Sequence, residues 1–79
     1  MKDIDVQKIK PDDIKELLVD IAGRVAIVCN YNNENALFLL GAEKGTKFMK
    51  SLPSNSVKNM HYFDTTRKLE QYIKRYHKN

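Results

Sequence analysis

Tryptophan is absent from this chain, cysteine occurs once, proline twice and glycine three times in 79 residues. The lone Cys29 excludes a disulfide within the chain and agrees with a reducing compartment, while leaving a reactive thiol or an intermolecular bridge open. No glycine-rich phosphate loop is present. The longest uncharged apolar runs, Val25 to Cys29 and Ala36 to Leu40, fall far below the ~20 residues that cross a bilayer, so no membrane partner is expected. Met1 to Val6 carries Asp3 and Asp5 and has no apolar core, which does not fit a secretory signal; a cytoplasmic setting is the expectation. The two histidines, His61 and His77, stand without cysteine or acid at ligand spacing, and a zinc site needs about four convergent donors. Neither a metal nor a cofactor is expected.

What the chain does have is the composition of one soluble globular domain spanning residues 1–79, with 42% apolar and 30% charged residues. A domain of this size buries only roughly 60% of the surface its unfolded chain exposes, so its stability margin is small and gains from a partner. The formal charge is +4, and it is unevenly placed. From Thr65 onward Arg67, Lys68, Lys74, Arg75 and Lys78 face the single acid Glu70, whereas Pro11 to Ala22 holds Asp12, Asp13, Glu16 and Asp20 against Lys15.

The local patterns divide the chain into alternating elements. Residues 3 to 9 alternate weakly, as an edge strand does. Pro11, followed by Asp12 and Asp13, suits a helix start, and Ile14, Leu17, Leu18 and Ile21 form an i, i+3, i+4, i+7 stripe before Gly23, which predicts a helix. Arg24 to Asn30 reads as a central strand buried on both faces. Asn30, Tyr31, Asn32, Asn33, Glu34 and Asn35 form a polar loop, a candidate surface for a ligand or a partner. Ala36 to Leu40 is either the start of a helix running towards Leu52, the favoured reading, or a strand that folds back on Val25 to Cys29. Pro53 to Ser56 is a turn, Val57 to Phe63 a strand, and Asp64 with the two threonines begins a final helix whose Leu69, Tyr72, Ile73 and Tyr76 share one stripe. The expected fold is therefore a small α/β sandwich, β-α-β-α-β-α, its short sheet flanked by helices. Right-handed crossovers would make Arg24 to Asn30 and Val57 to Phe63 parallel neighbours. The alternative is an α+β fold with a hairpin at 24–40.

The order from Gly23 onward, with the strand RVAIV, a polar loop, an inner apolar segment, a second strand and the ending HYFDTTRKLEQYI, resembles the C-terminal half of STAS-like domains, the group related to anti-sigma-factor antagonists. The resemblance covers residues 23–76. It implies a non-enzymatic regulatory or protein-interaction module. Regulatory members carry a phosphorylatable serine or threonine at the loop after the strand, and Asn30 to Asn35 contains neither, so phosphoserine switching at that point is not expected.

Two other classes stay open on the residues themselves. Cys29 ends a strand, where α/β sheets place ligands, which suggests a thiol or phosphoryl-transfer enzyme. Against it, the following loop carries Glu34 and no base, and free cysteine is usually core. Arg67, Lys68, Lys74, Arg75 and Lys78 on the last helix could meet nucleic-acid phosphates, with a solvated basic face as the plain alternative. Asp12, Asp13, Glu16 and Asp20 read as dipole complement and solvated helix face, His61 as a surface or half-buried strand histidine and His77 as a tail histidine. The favoured reading is a protein-interaction module that binds a partner or itself, with nucleic-acid binding and thiol chemistry as alternatives.

Overall fold

In the computed structural model, which describes residues 9–31 and 33–77, a 3-10 turn at Pro11–Asp13 leads into β1 (Ile14–Asp20), β2 (Val25–Tyr31), β3 (Glu34–Leu40), α1 (Ala42–Ser51), β4 (Met60–Phe63) and α2 (Thr66–His77). The sheet order is β3-β2-β1-β4, with β1, β2 and β3 an antiparallel meander and β4 parallel to β1. This is a small α+β fold, a mixed sheet with one helix against each face. The apolar run Val25–Cys29 is buried throughout, because β2 lies between two strands and beneath helices on both sides.

Side-chain alternation sorts the core into two layers. Leu17, Val19, Val25, Ile27, Cys29 and Leu40 point to one face and meet Phe48 of α1. Leu18 and Ala26 point to the other and meet Leu69 and Ile73 of α2. α1 approaches the β1–β2 turn so closely that a Cβ on Gly45 would stand 2.7 Å from the Gly23 carbonyl oxygen and 2.9 Å from Val25 Cγ2. Only a residue without a side chain allows that contact. The turn itself is built by Asp20, whose Oδ1 accepts the N–H groups of Ala22 at 2.9 Å and Arg24 at 3.0 Å, while Gly23 adopts a left-handed φ of 89°.

The structure corrects the expected β-α-β-α-β-α order. The segment Pro11 to Ala22 is not a helix: only the 3-10 turn is helical, and the rest is β1. The stripe Ile14, Leu17, Leu18 and Ile21 has helical spacing, but in the structure Leu17 and Leu18 go to opposite faces of the sheet, and the deciding residue is Val19, which a helix would turn outward and which is buried here. A strand covered on both faces needs no alternation, so Leu17–Leu18–Val19 is continuous. Ala36 to Leu40 is not the start of a helix either but belongs to β3, hydrogen-bonded in register from Val25↔Leu40 to Tyr31↔Glu34. The hairpin alternative at 24–40 is the one that forms, and Gly41 stands between β3 and α1. The asparagine-rich loop shrinks accordingly: Asn30 and Tyr31 end β2, Glu34 and Asn35 begin β3, and Asn33 turns with a φ of 66°. Tyr31 rests edge-on against Phe38, ring centroids 5.5 Å apart.

The expected parallel pairing of Arg24–Asn30 with Val57–Phe63 does not occur. β4 is shorter, Met60–Phe63, and pairs with β1 from Leu17↔Met60 to Asp20↔Phe63. Because β1 is itself a strand, it occupies the place beside β2 that the helical reading leaves open. The final strand-into-helix junction does form as the sequence indicates, with Thr65 Oγ1 accepting the Lys68 N–H at 3.1 Å. The edge strand expected at 3 to 9 lies, apart from Ile9, outside the described residues; Ile9 is buried in the α1-side core. Among the described residues no helix is long and apolar enough to cross a membrane.

Candidate functional site

Among the described residues β4 is the outermost strand on its side of the sheet, and the two faces it presents differ sharply. By the register Leu18↔His61 and Asp20↔Phe63, His61 and Phe63 share the α2 face with Leu18 and Asp20; by Leu17↔Met60 and Val19↔Tyr62, Met60 and Tyr62 share the α1 face.

On the α2 face, polar atoms converge. Glu16 Oε1 accepts the Tyr72 hydroxyl at 2.6 Å and lies 3.1 Å from His61 Nε2. The Tyr72 ring is 5.5 Å from that of His61 and 5.4 Å from that of Phe63, and the Arg75 guanidinium carbon sits 5.2 Å from its centroid. The Glu16 hydrogen bond, with burial adding to it, pushes the Tyr72 hydroxyl pKa above its ordinary 10.0. One carboxylate thus ties β1, β4 and α2 together. A carboxylate-held histidine is also part of a general-base arrangement, but no serine, threonine or cysteine is hydrogen-bonded to His61 among the described residues. The cluster acts as a brace.

On the α1 face the same strand is bare. α1 packs over β2 and β3, and on the outer strand Tyr62 is 74% exposed and Met60 47%, with Ile21, just past the end of β1, 70%. Beside them a groove of 390 Å³ opens between the end of α1 and the start of β4, lined with Met49, Leu52, Val57 and Met60 together with the Pro53–Ser56 turn. Leu17 N–H donates to Asn59 O at 2.9 Å, which turns the backbone groups of alternate residues Asn59, His61 and Phe63 towards β1. Those of Met60 and Tyr62 therefore face outward, where no strand follows among the described residues.

The residues singled out from the sequence are dispersed. Cys29 is fully buried in the α1-side core opposite Ile14 and Ala36, and burial, with the Asp13 carboxylate adding to it, pushes its thiol pKa above the ordinary 9.0, away from an activated thiolate. Asn35 accepts a hydrogen bond from Lys15 Nζ. Asn32 lies outside the described residues, as does Lys78. Of the bases on α2, Arg67 and Lys74 are exposed, Lys68 pairs with Asp64 at 3.0 Å, and Arg75 lies over Tyr72. Among the described residues no group of three or more histidine, cysteine, aspartate or glutamate side chains could hold a metal ion.

The features the sequence reading passes over are Glu16, His61 and Tyr72 as one cluster, and Met60 with Tyr62 as one exposed pair. The second has a signal: Lys58, Met60, Tyr62 and Asp64 alternate on one side of the strand pattern. Compared with models of known families, with curated proteins and with solved structures, the chain matches none.

Proposed function

We propose that this protein is a non-enzymatic interaction module whose binding element is the outer edge of β4. The observation that carries this reading is the coincidence of two unsatisfied features on one short strand. Large apolar side chains, Met60 and Tyr62 with Ile21 nearby, stand exposed on a face that no helix covers among the described residues, and the backbone groups of the same two strand residues point away from the sheet. Addition of a strand to an open edge uses both: main-chain hydrogen bonds supply affinity and alternate side chains supply specificity. The Glu16–His61–Tyr72 brace holds β4 in place without covering its outer side. The resemblance of residues 23–76 to STAS-like domains, itself a proposal of kinship, points to the same class of regulatory module.

The two alternatives have less behind them. Thiol chemistry would require Cys29 to leave the core, and nucleic-acid binding through α2 would begin with Lys68 and Arg75 already engaged by Asp64 and Tyr72. The test is a photo-crosslinking amino acid placed at position 62, with the exposed α1 position 47 as control, in cells expressing the protein. Protein adducts at 62 and not at 47 are expected. Equal yields at both positions, or none at 62, would contradict the reading.

A further inference from the structure

The occupant of that edge follows from its own pattern, and resting on the reading above, we infer that β4 pairs with β4 of a second copy of this chain, antiparallel and centred on His61. Three constraints select this arrangement. An antiparallel hydrogen-bonded pair requires that both residues turn their N–H and C=O groups towards the partner, and on β4 only Met60 and Tyr62 do so. That leaves three two-fold registers: Met60 opposite Met60, Tyr62 opposite Tyr62, or Met60 opposite Tyr62 twice.

The second constraint is charge. Carrying the alternation one step beyond each end of the strand, into the bends that flank it, brings in Lys58 and Asp64, which lie on the Met60 and Tyr62 side of the sequence pattern; Asp64 holds Lys68 in an exposed i, i+4 pair at 3.0 Å, a weak contact that leaves the carboxylate open to a second base. Only the register centred on His61 sets Lys58 across from Asp64, and the two-fold makes that pair twice. Centring on Met60 would set Lys58 against Tyr62, and centring on Tyr62 would set Met60 against Asp64; neither brings two opposite charges face to face. Opposite charges facing each other across strands stabilise the pairing and like charges oppose it. The four residues Lys58, Met60, Tyr62 and Asp64 are thus self-complementary when read in opposite directions.

The third constraint is shape. Met60 forms one wall of the groove that Met49, Leu52 and Val57 also line. With Tyr62 of the second copy opposite Met60, its ring lies at the mouth of that groove, and the relation repeats by symmetry, as an isologous interface requires. The two sheets would join into one of eight strands, twice the four of the single chain, with the bare α1-side faces adjacent. Two four-residue strands make a small contact, so the dimer belongs to the weak, concentration-dependent class.

Charge reversal tests the register directly. Lys58→Asp places an acid against an acid at both ends of the interface, and Asp64→Lys places a base against a base; both positions are solvent-exposed. By sedimentation equilibrium in a dilution series reaching about 1 mM, the wild type is expected to dimerise, and each single variant to associate about tenfold more weakly or worse. An equimolar mixture of the two variants is expected to recover association. There the aspartate introduced at position 58 of one copy meets the lysine introduced at position 64 of the other, and at the opposite end the native Lys58 meets the native Asp64. Thermal melts of each variant separate lost folding from lost pairing, and recovery in the mixture cannot arise from misfolded partners. A wild type monomeric at every concentration, or single variants that associate as the wild type does, or a mixture that fails to pair, would overturn the inference. A monomeric wild type whose position 62 still crosslinks to other proteins would overturn it while leaving the interaction-module reading standing; absence of both would remove both.

Discussion

β1 and β4 lie side by side, run the same way and share a register, yet the second half of β1 is buried and β4 is among the most exposed parts of the molecule. From Leu17 to Asp20 no residue of β1 is more than 8% exposed, while across from them Met60 and Tyr62 stand at 47% and 74%. The difference is one of neighbours. β1 has strands on both sides and apolar core layers on both faces; among the described residues β4 has one neighbouring strand and, on the α2 side, one helix packed against it. A strand with two neighbours and two covered faces uses its apolar residues for stability. A strand at the rim that still carries methionine and tyrosine on its bare face leaves them exposed, and it is there that the proposed contact lies.

Truncation should break this comparison most visibly. Leu18→Ala is expected to cost about 3 kcal/mol, within the 2–5 kcal/mol spread for buried leucine, whereas Met60→Ala, on the neighbouring strand, should stay within about 0.5 kcal/mol in dilute solution. Urea unfolding of both variants at low protein concentration checks the pair. Next in size is the loop that ends β1: Asp20→Ala leaves the N–H groups of Ala22 and Arg24 without their acceptor, at an expected cost of about 2 kcal/mol. Asp20→Asn keeps the Oδ1 acceptor and should cost less, which thermal melts would resolve.

The brace that anchors β4 is the third test. Tyr72→Phe removes the hydroxyl donated to Glu16, for an expected loss of about 1 kcal/mol at this half-buried position. Alkali probes the same bond. Tyr72 and Cys29 both hold their protons more tightly in the folded state than in the unfolded chain, where they titrate near their ordinary values of 10.0 and 9.0. Their contribution is complete below pH 9 and declines as pH rises through the folded-state values. Stability should therefore fall above about pH 9, and the part of the fall beyond about pH 10 should flatten in Tyr72→Phe; denaturation midpoints across that range would show either the slope or its absence. The smallest expected effect on folding is that of Tyr62→Lys, within about 0.5 kcal/mol, although it is expected to abolish association.

Some of this is legible in the sequence and some is not, for identifiable reasons. The strand at Val25–Cys29 is plain as a short, largely β-branched apolar run between Gly23 and Asn30, and α2 is plain because one helical stripe follows a capping threonine. β1 reads as a helix because Ile14, Leu17, Leu18 and Ile21 satisfy a helical spacing, and the competing sign, a buried Val19 beside Leu18, is visible only once both faces of the sheet are known to be covered. With β1 taken for a helix, Glu16 has no reason to face His61, and the brace cannot be foreseen. β3 stands between two readings because of Gly41, which ends the strand rather than weakening a helix. The edge is within reach of the sequence: an alternating Lys–x–Met–x–Tyr–x–Asp pattern is as regular as any in the chain, but whether its apolar members face a core depends on which strand lies at the rim.

Amide hydrogen exchange of Met60 and Tyr62 across a dilution series tests the central claim most directly, because these are the strand residues whose N–H groups point away from β1. Exchange is expected to be slow in concentrated wild-type protein, to speed up on dilution, and to be fast throughout in Tyr62→Lys, while the amides of Leu17 and Leu18 stay protected in every sample. Fast exchange of Met60 and Tyr62 in the wild type at all concentrations, or protection that dilution does not relieve, would contradict the account.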